Sequence, residues 1–319
     1  MTFRLSARGV GLALLAAGAT ALTVAAQARR AERENPGRGH FLTVDGVRLH
    51  AMEMGHRGPP VVLLHGNGAM VEEWLASGLP QLLARRHRVL MLDRPGFGHS
   101  ERPRGRAWTA AAQAAVLRQA WERLGFERPI LLGHSWGTLV ALSLALRDPG
   151  AVRGLVLLAG YYFPSVRADV AIFSPPAIPL LGDVLRYTLA PPLGRLIAPK
   201  LISRIFAPLP VPARFKAEFP LPLALRPSQI RASAGDTARM VPTAAALAPR
   251  YGRLRLPVAI IAGEGDRIVK ARQAERLHEL LPQSRLVLLP GIGHMLHHAA
   301  PEAVAAVVTE LAGTAALAA

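Results

Sequence analysis

The residues most able to do chemistry are Gly133-His134-Ser135-Trp136-Gly137, a serine between two glycines. The apolar run Pro129-Ile130-Leu131-Leu132 precedes them and the mostly apolar residues 138–146 follow. A short buried strand running into a helix through such a pentapeptide forms a nucleophile elbow, where glycines let the backbone bend and expose the hydroxyl. A serine hydroxyl is a weak nucleophile at neutral pH, so an imidazole must take its proton and later hand it to the leaving group.

The base is expected at His294, in the glycine-rich loop Leu289-Pro290-Gly291-Ile292-Gly293-His294 that follows a strand-like segment. His297 and His298 stand nearby but lack the glycine-flanked loop. An orienting acid is expected between serine and base in the chain, which favours Asp266 at the end of the apolar segment 258–262 and its Gly-Glu-Gly turn. Glu264 is its rival. Stabilising a tetrahedral oxyanion takes two backbone N–H groups aimed at one point, each typically worth about 3 kcal/mol. One is expected from Trp136, whose amide is free at a helix start. The other is expected from Asn67, in the turn His65-Gly66-Asn67-Gly68 that closes another apolar strand.

These segments, together with Asp93-Arg94-Pro95-Gly96-Phe97-Gly98-His99-Ser100, occur in an order that resembles the α/β-hydrolase superfamily, in its esterase and cofactor-free haloperoxidase branch. The match runs from about residue 41 to the C-terminal helix. The resemblance implies Ser135 as nucleophile, Asp266 as acid, His294 as base, Asn67 and Trp136 as oxyanion donors, and a structural Asp93. The Asn67 and Trp136 pair is also similar to the halide-binding pair of haloalkane dehalogenases. Those enzymes carry an aspartate at the elbow, because an alkyl ester on a carboxylate can be hydrolysed, whereas a serine would end as an inert ether. Acyl transfer to water is therefore expected, without metal or organic cofactor.

The positioning elements follow from periodicity. Segments near 61–64, 89–92, 130–132, 155–158, 258–262 and 285–289 are apolar on both faces, as parallel strands covered on each side must be. Helical patterns near 110–124, 136–146, 271–281 and 301–311 supply the cover. Asp45-Gly46 marks a two-residue hairpin turn before them. The fold class is thus α/β: a mostly parallel twisted sheet with helices on both faces, ligands binding outside the carboxyl ends of the strands. The strand–helix rhythm fails between 161 and 243, a stretch holding about half of the 27 prolines. That length is too great for a plain loop. It reads as a cap inserted after the sixth strand, with Phe163, Phe173, Phe206 and Phe219 as candidate substrate contacts, alongside Ile172, Ile178, Leu180 and Leu181. A greasy cap favours an apolar ester substrate.

Arg4 and Arg8 precede an apolar run at 10–26, and Ala26-Gln27-Ala28 resembles a cleavage site before Arg29-Arg30. Residues 1–28 therefore read as a secretory signal or an uncleaved membrane anchor, placing the enzyme at a membrane, in the periplasm or outside the cell rather than in the cytoplasm. Residues 29–40 read as a linker, 41–160 and 244–319 as the two parts of the core. The chain has no cysteine, so no disulfide is available. The formal charge of +17 comes almost wholly from arginine, only Lys200, Lys216 and Lys270 being lysines. Scattered arginines with 5% aromatic residues argue against nucleic-acid recognition and leave affinity for anionic lipid or an arginine bias shared by the whole proteome. The expected activity is carboxylic-ester hydrolysis through an acyl-enzyme. Perhydrolysis, thioester or lactone cleavage and C–C bond hydrolysis could use the same triad, and a silent binding protein could use the same fold.

Overall fold

The computed structural model describes residues 7–317; Arg4 lies outside them. A long helix α1 (Ala7–Glu34) is rich in alanine, leucine, arginine and glutamate, all strong helix formers. Pro36 and Gly37 then stop it. α1 thus runs into the stretch read as a linker, because Ala31 is buried against Met70 and Leu223 and Glu32 pairs with Arg226 at 2.7 Å.

Strands β1 (His40–Val44) and β2 (Val47–Met54) form the hairpin. Asp45 and Gly46 both sit at positive φ, 48° and 71°, as a tight turn between right-twisted strands requires. After β3 (Pro60–Leu64) come two short helices, α2 (Val71–Ser77) and α3 (Leu79–Leu83), then β4 (Arg88–Leu92) and α4 (Ala110–Arg123). β5 (Ile130–His134) leads into α5 (Trp136–Arg147), and β6 (Gly154–Leu158) follows. The next six helices are α6 (Ala168–Phe173), α7 (Leu181–Tyr187), α8 (Ala190–Phe206), α9 (Ala213–Glu218), α10 (Leu221–Ala224) and α11 (Pro227–Leu247). The chain closes with β7 (Val258–Gly263), α12 (Arg272–Leu280), β8 (Arg285–Leu289), α13 (Leu296–Ala299) and α14 (Pro301–Leu317).

The strands order as β1-β2-β4-β3-β5-β6-β7-β8, with β2 antiparallel to both its neighbours and every other pairing outside the hairpin parallel. β5 and β6 are buried along their whole length, which explains their unbroken apolar sequences. Alternate residues feed two cores. Leu64, Leu92, Leu131 and Leu155 pack under α4 and α5. Leu63, Met91, Leu132 and Val156 pack under α2, α3 and α14. The order reverses around β3, flanked by β4 and β5, so the connections diverge there and open a crevice at the carboxyl ends.

The six helices between β6 and β7 form an insertion held to the core mainly through α11. Ala244 and Leu247 of α11 join the main core, and Asp236, fully buried, reaches the loop after β4. α1 packs against α7, α10 and α11 of this insertion.

Candidate active site

Ser135 stands between β5 and α5 at φ 51° and ψ −117°, left-handed backbone that L-residues rarely adopt. Its amide donates to Leu158 O of the neighbouring strand at 2.8 Å, and Thr138 Oγ1 donates to its carbonyl at 2.6 Å. Both flanking glycines are sterically required. A Cβ on Gly133 would meet Gly137 O at 2.8 Å, and one on Gly137 would meet Leu64 O at 2.1 Å.

The loop after β8 brings His294 to this serine, its Nε2 lying 3.0 Å from Ser135 Oγ. His294 Nδ1 lies 2.7 Å from Asp266 Oδ2, and the other oxygen of Asp266 accepts the N–H groups of Ile268 and Val269 at 2.7 and 2.9 Å. Three expected residues therefore meet in one hydrogen-bonded chain. Asp266 and His294 are buried, while Glu264, the rival acid, is exposed.

The turn after β3 lies against the serine: a Cβ on Gly66 would approach Ser135 Cβ to 3.3 Å. Neither the Asn67 nor the Trp136 backbone N–H has a hydrogen-bond partner among the described residues. Their side chains point elsewhere. Asn67 Nδ2 donates to Thr237 Oγ1 at 2.8 Å and Ser233 O at 3.2 Å, and Trp136 Nε1 donates to Asp236 O at 3.0 Å, all on α11.

Of the four candidate phenylalanines, Phe206 and Phe219 fall together. Phe206 packs edge-on against Phe215 at 4.9 Å, Phe219 stacks on Phe215 at 4.8 Å, and the cluster includes Met295, next to His294. Phe163 instead sits in the main core against Tyr251, with the Arg276 guanidinium over its ring. Phe173, on α6, is exposed.

Around the site lie buried polar assemblies of which the sequence marked only Asp93, as structural; their partners come from distant segments. Arg94 and Arg102 both pair with Asp236, at 2.6 and 2.9 Å, and Gln113 Nε2 donates to the same carboxylate at 3.0 Å. The Arg94 guanidinium also lies over the Trp136 ring. Asp93 accepts from His50 Nδ1, the Val71 amide and the His99 amide at 2.7–2.8 Å, and Gly98 is glycine because a Cβ there would strike this carboxylate. Burial alone would raise Asp93, but the hydrogen bond and charge of His50 hold it below its ordinary value.

Behind His294, Glu73 Oε1 accepts from both His297 Nε2 and His298 Nε2, and His134 Nε2 donates to the His294 carbonyl at 3.1 Å. Burial works to raise Glu73, yet the two histidines outweigh it and hold the carboxyl well below its usual range. Burial, then the charge on His297 and His294, pushes His134 well below the usual imidazole range, so it is neutral and its Nε2–H is the donor. Glu73, His297 and His298 place ligand atoms within 4.8 Å of one another, the donor set of a metal site. In this arrangement one carboxylate oxygen already takes both imidazoles, and the cluster braces α13 beneath the His294 loop.

A family model for the alpha/beta hydrolase fold matches residues 59–301, and the chain belongs to that family. The 2-hydroxy-6-oxo-2,4-heptadienoate hydrolase of Pseudomonas putida is 28% identical over 265 residues, 80% of this chain and 89% of its own. The enol-lactonase of Burkholderia xenovorans superposes with a TM-score of 0.69 at 21% identity, over 85% of this chain and 99% of its own, a likeness of fold. A bacterial membrane phospholipase A superposes with a TM-score of 0.66 at 25% identity, over 96% of this chain and 97% of its own. What that last overlay leaves out is shorter than α1, so it extends into the N-terminal helix.

Proposed function

We propose that the protein is a serine hydrolase that cleaves carboxylic esters of apolar acids or alcohols while anchored to a membrane by α1. The observation that carries this reading is the Ser135–His294–Asp266 hydrogen-bonded chain at the elbow. Ser135 Oγ attacks the ester carbonyl as His294 Nε2 takes its proton. The unengaged amides of Asn67 and Trp136 receive the oxyanion. His294 then protonates the leaving alcohol, and water, activated by the same imidazole, releases the acid. Asp266 holds the Nδ1–H tautomer and stabilises the imidazolium.

The insertion acts as a cap, and Phe206, Phe215 and Phe219 beside Met295 offer an apolar wall for the acyl or alkyl group. Halide displacement is disfavoured on two grounds. A serine ether has no hydrolytic exit, and the Asn67 and Trp136 side-chain donors are already spent on α11. The second reading, C–C bond or lactone hydrolysis by the same three residues, is supported by the resemblance to the Pseudomonas putida hydrolase. Anchoring is supported by α1, which from Gly11 to Glu34 is long and apolar enough to cross a bilayer.

The test is labelling by a fluorophosphonate together with turnover of acetyl and long-chain esters. Ser135→Ala should abolish labelling and lower kcat by at least about a thousandfold, leaving residual catalysis from the oxyanion site. Asp266→Asn should cost less. Labelling that survives Ser135→Ala rejects the nucleophile, and turnover confined to a vinylogous diketone favours the second reading.

A further inference from the structure

The insertion turns an unusual amount of apolar side chain outward. On α6 to α8 and their connections, Val166, Ile172, Leu180, Val184, Leu189 and Leu196 are exposed, Leu180 at 82% and Leu196 at 78%. Leu189, Leu193 and Leu196 are spaced i, i+4, i+7 and so form one stripe along the start of α8. An exposed apolar stripe of this kind marks a place where something docks.

What docks is indicated by α1. Leu12, Leu14, Leu15 and Leu22 are exposed along it, as in a helix surrounded by lipid. The first charged residue after the apolar run is Arg29, which belongs at the headgroups. Ala31 is already buried against the domain, and Glu32 already holds Arg226. At about 1.5 Å per residue the domain therefore begins within one helical turn of the membrane surface. Val24, deeper in the apolar run, is also covered by protein, and α7 is among the helices packed on α1. α7 packs in turn on α8. If α1 spans, parts of the insertion lie at the depth of the headgroup and acyl boundary, and their outward leucines match that medium. The charge matches too. Asp169 on α6 is paired with Arg167 and Asp183 on α7 with Arg104 and Arg186, and from residue 187 to 212 the charged residues are Arg195, Lys200 and Arg204, all exposed, with no acid among them. That is the composition of an interfacial helix on anionic lipid.

We propose that the outer face of α6, α7 and α8 is a bilayer-docking surface for anionic phospholipid, so that the ester substrate reaches Ser135 from the lipid phase. α8 links the two places: its first turns carry the exposed stripe, and its last residue, Phe206, packs beside Met295. This rests on the reading of α1 as a membrane anchor.

The chain lacks cysteine, so single cysteines can be introduced and labelled with an environment-sensitive fluorophore. Leu14→Cys reports α1, Leu196→Cys the proposed face, and Glu127→Cys the opposite end of the sheet, just before β5. The full-length protein is reconstituted in vesicles of phosphatidylcholine and phosphatidylglycerol with or without spin-labelled lipid. Labels at 14 and 196 should be quenched and the label at 127 should not. Quenching at 14 but not at 196 overturns the docking surface while leaving the anchor standing; no quenching at either overturns both. A label at 196 that is shielded without lipid quenching, in proportion to protein concentration, shows that a second copy covers the face and rejects the proposal. Leu189→Glu with Leu196→Glu should lower turnover of a long-chain ester in those vesicles about tenfold. Turnover of a short soluble ester should stay unchanged, which separates loss of docking from loss of fold. Equal loss on both substrates, or on neither, also rejects the proposal.

Discussion

Ser135 holds a left-handed backbone that typically costs about 1–3 kcal/mol, and the hydrogen bonds its amide donates to Leu158 O and its carbonyl accepts from Thr138 keep it there. Gly137 makes that turn possible by lying against the Leu64 carbonyl. Gly137→Ala should therefore disrupt the turn, and thermal unfolding should show a large fall in Tm or no folded protein; a fall of only a degree or two would refute the steric argument. Asp236 is the other residue on which much depends. It neutralises two buried arginines, and its carbonyl takes the Trp136 indole N–H. Asp236→Ala should cost about 3–5 kcal/mol, because it strands Arg94 without a counter-charge in a site with no exposure. Denaturant midpoints would read this, and Arg94→Met combined with Asp236→Leu should recover part of the loss.

At the scale of elements, the turn after β3 is set by His65. Its Nε2 accepts the Arg94 amide at 2.9 Å and its Nδ1 donates to Gly66 O at 2.8 Å, so only the neutral ring fits. Burial first, and the Arg94 guanidinium second, push its pKa down to about 4 from an ordinary 6.5. His87, His99, His134 and His297 are likewise lowered, each mainly by burial, while His50 is raised by Asp93 against its own burial. Between pH 6.5 and about 4 the unfolded chain binds the proton that His65 refuses when folded, so stability rises with pH across that window. Acidification to about pH 5 should remove on the order of 2 kcal/mol through His65 alone. Tm measured at pH 7.5 and 5 should fall by several degrees, and His65→Asn should show a shallower slope. Equal Tm at both pH values would rule this out. The elements themselves were largely legible. β3 to β7 announce themselves as apolar runs because a strand buried on both faces has no polar positions to spend, whereas β8, expected to be covered on both faces, lies at the sheet edge and is only half-buried. α2 and α3 were not, since they are short and Gly78 separates them, leaving too few turns for a helical period to show.

For the whole molecule, α1 is packed onto the insertion through α7, α10 and α11. Removal of residues 1–28 should leave Ala31 and Glu32 in place, keep the folded domain's Tm within a few degrees, and reduce the detergent needed for extraction. Removal through residue 36 takes away the Glu32–Arg226 pair and uncovers Met70 and Leu223, so it should lower Tm clearly further. Equal stability of the two truncations would mean that the α1 contacts contribute nothing. Composition foretold an apolar N-terminal segment but not its docking on the insertion, because the stretch around Glu32 looks like solvent-facing linker until Arg226, 194 residues away, is beside it.

The amino-acid sequence alone determined the turn at Ser135, since two glycines between a buried strand and a helix leave few other conformations, and it determined the layered sheet through the spacing of its apolar runs. The glycine-flanked loop singled out His294, but its approach to a hydroxyl 159 residues away, and the capture of His297 and His298 by Glu73, belong to the tertiary structure. The bracing of Trp136 by Asp236 and the seat of α1 were decided only in three dimensions. Local pattern encodes what a segment must do with its own backbone and water, whereas partnerships between distant charged and polar groups exist only once the fold has removed the solvent between them.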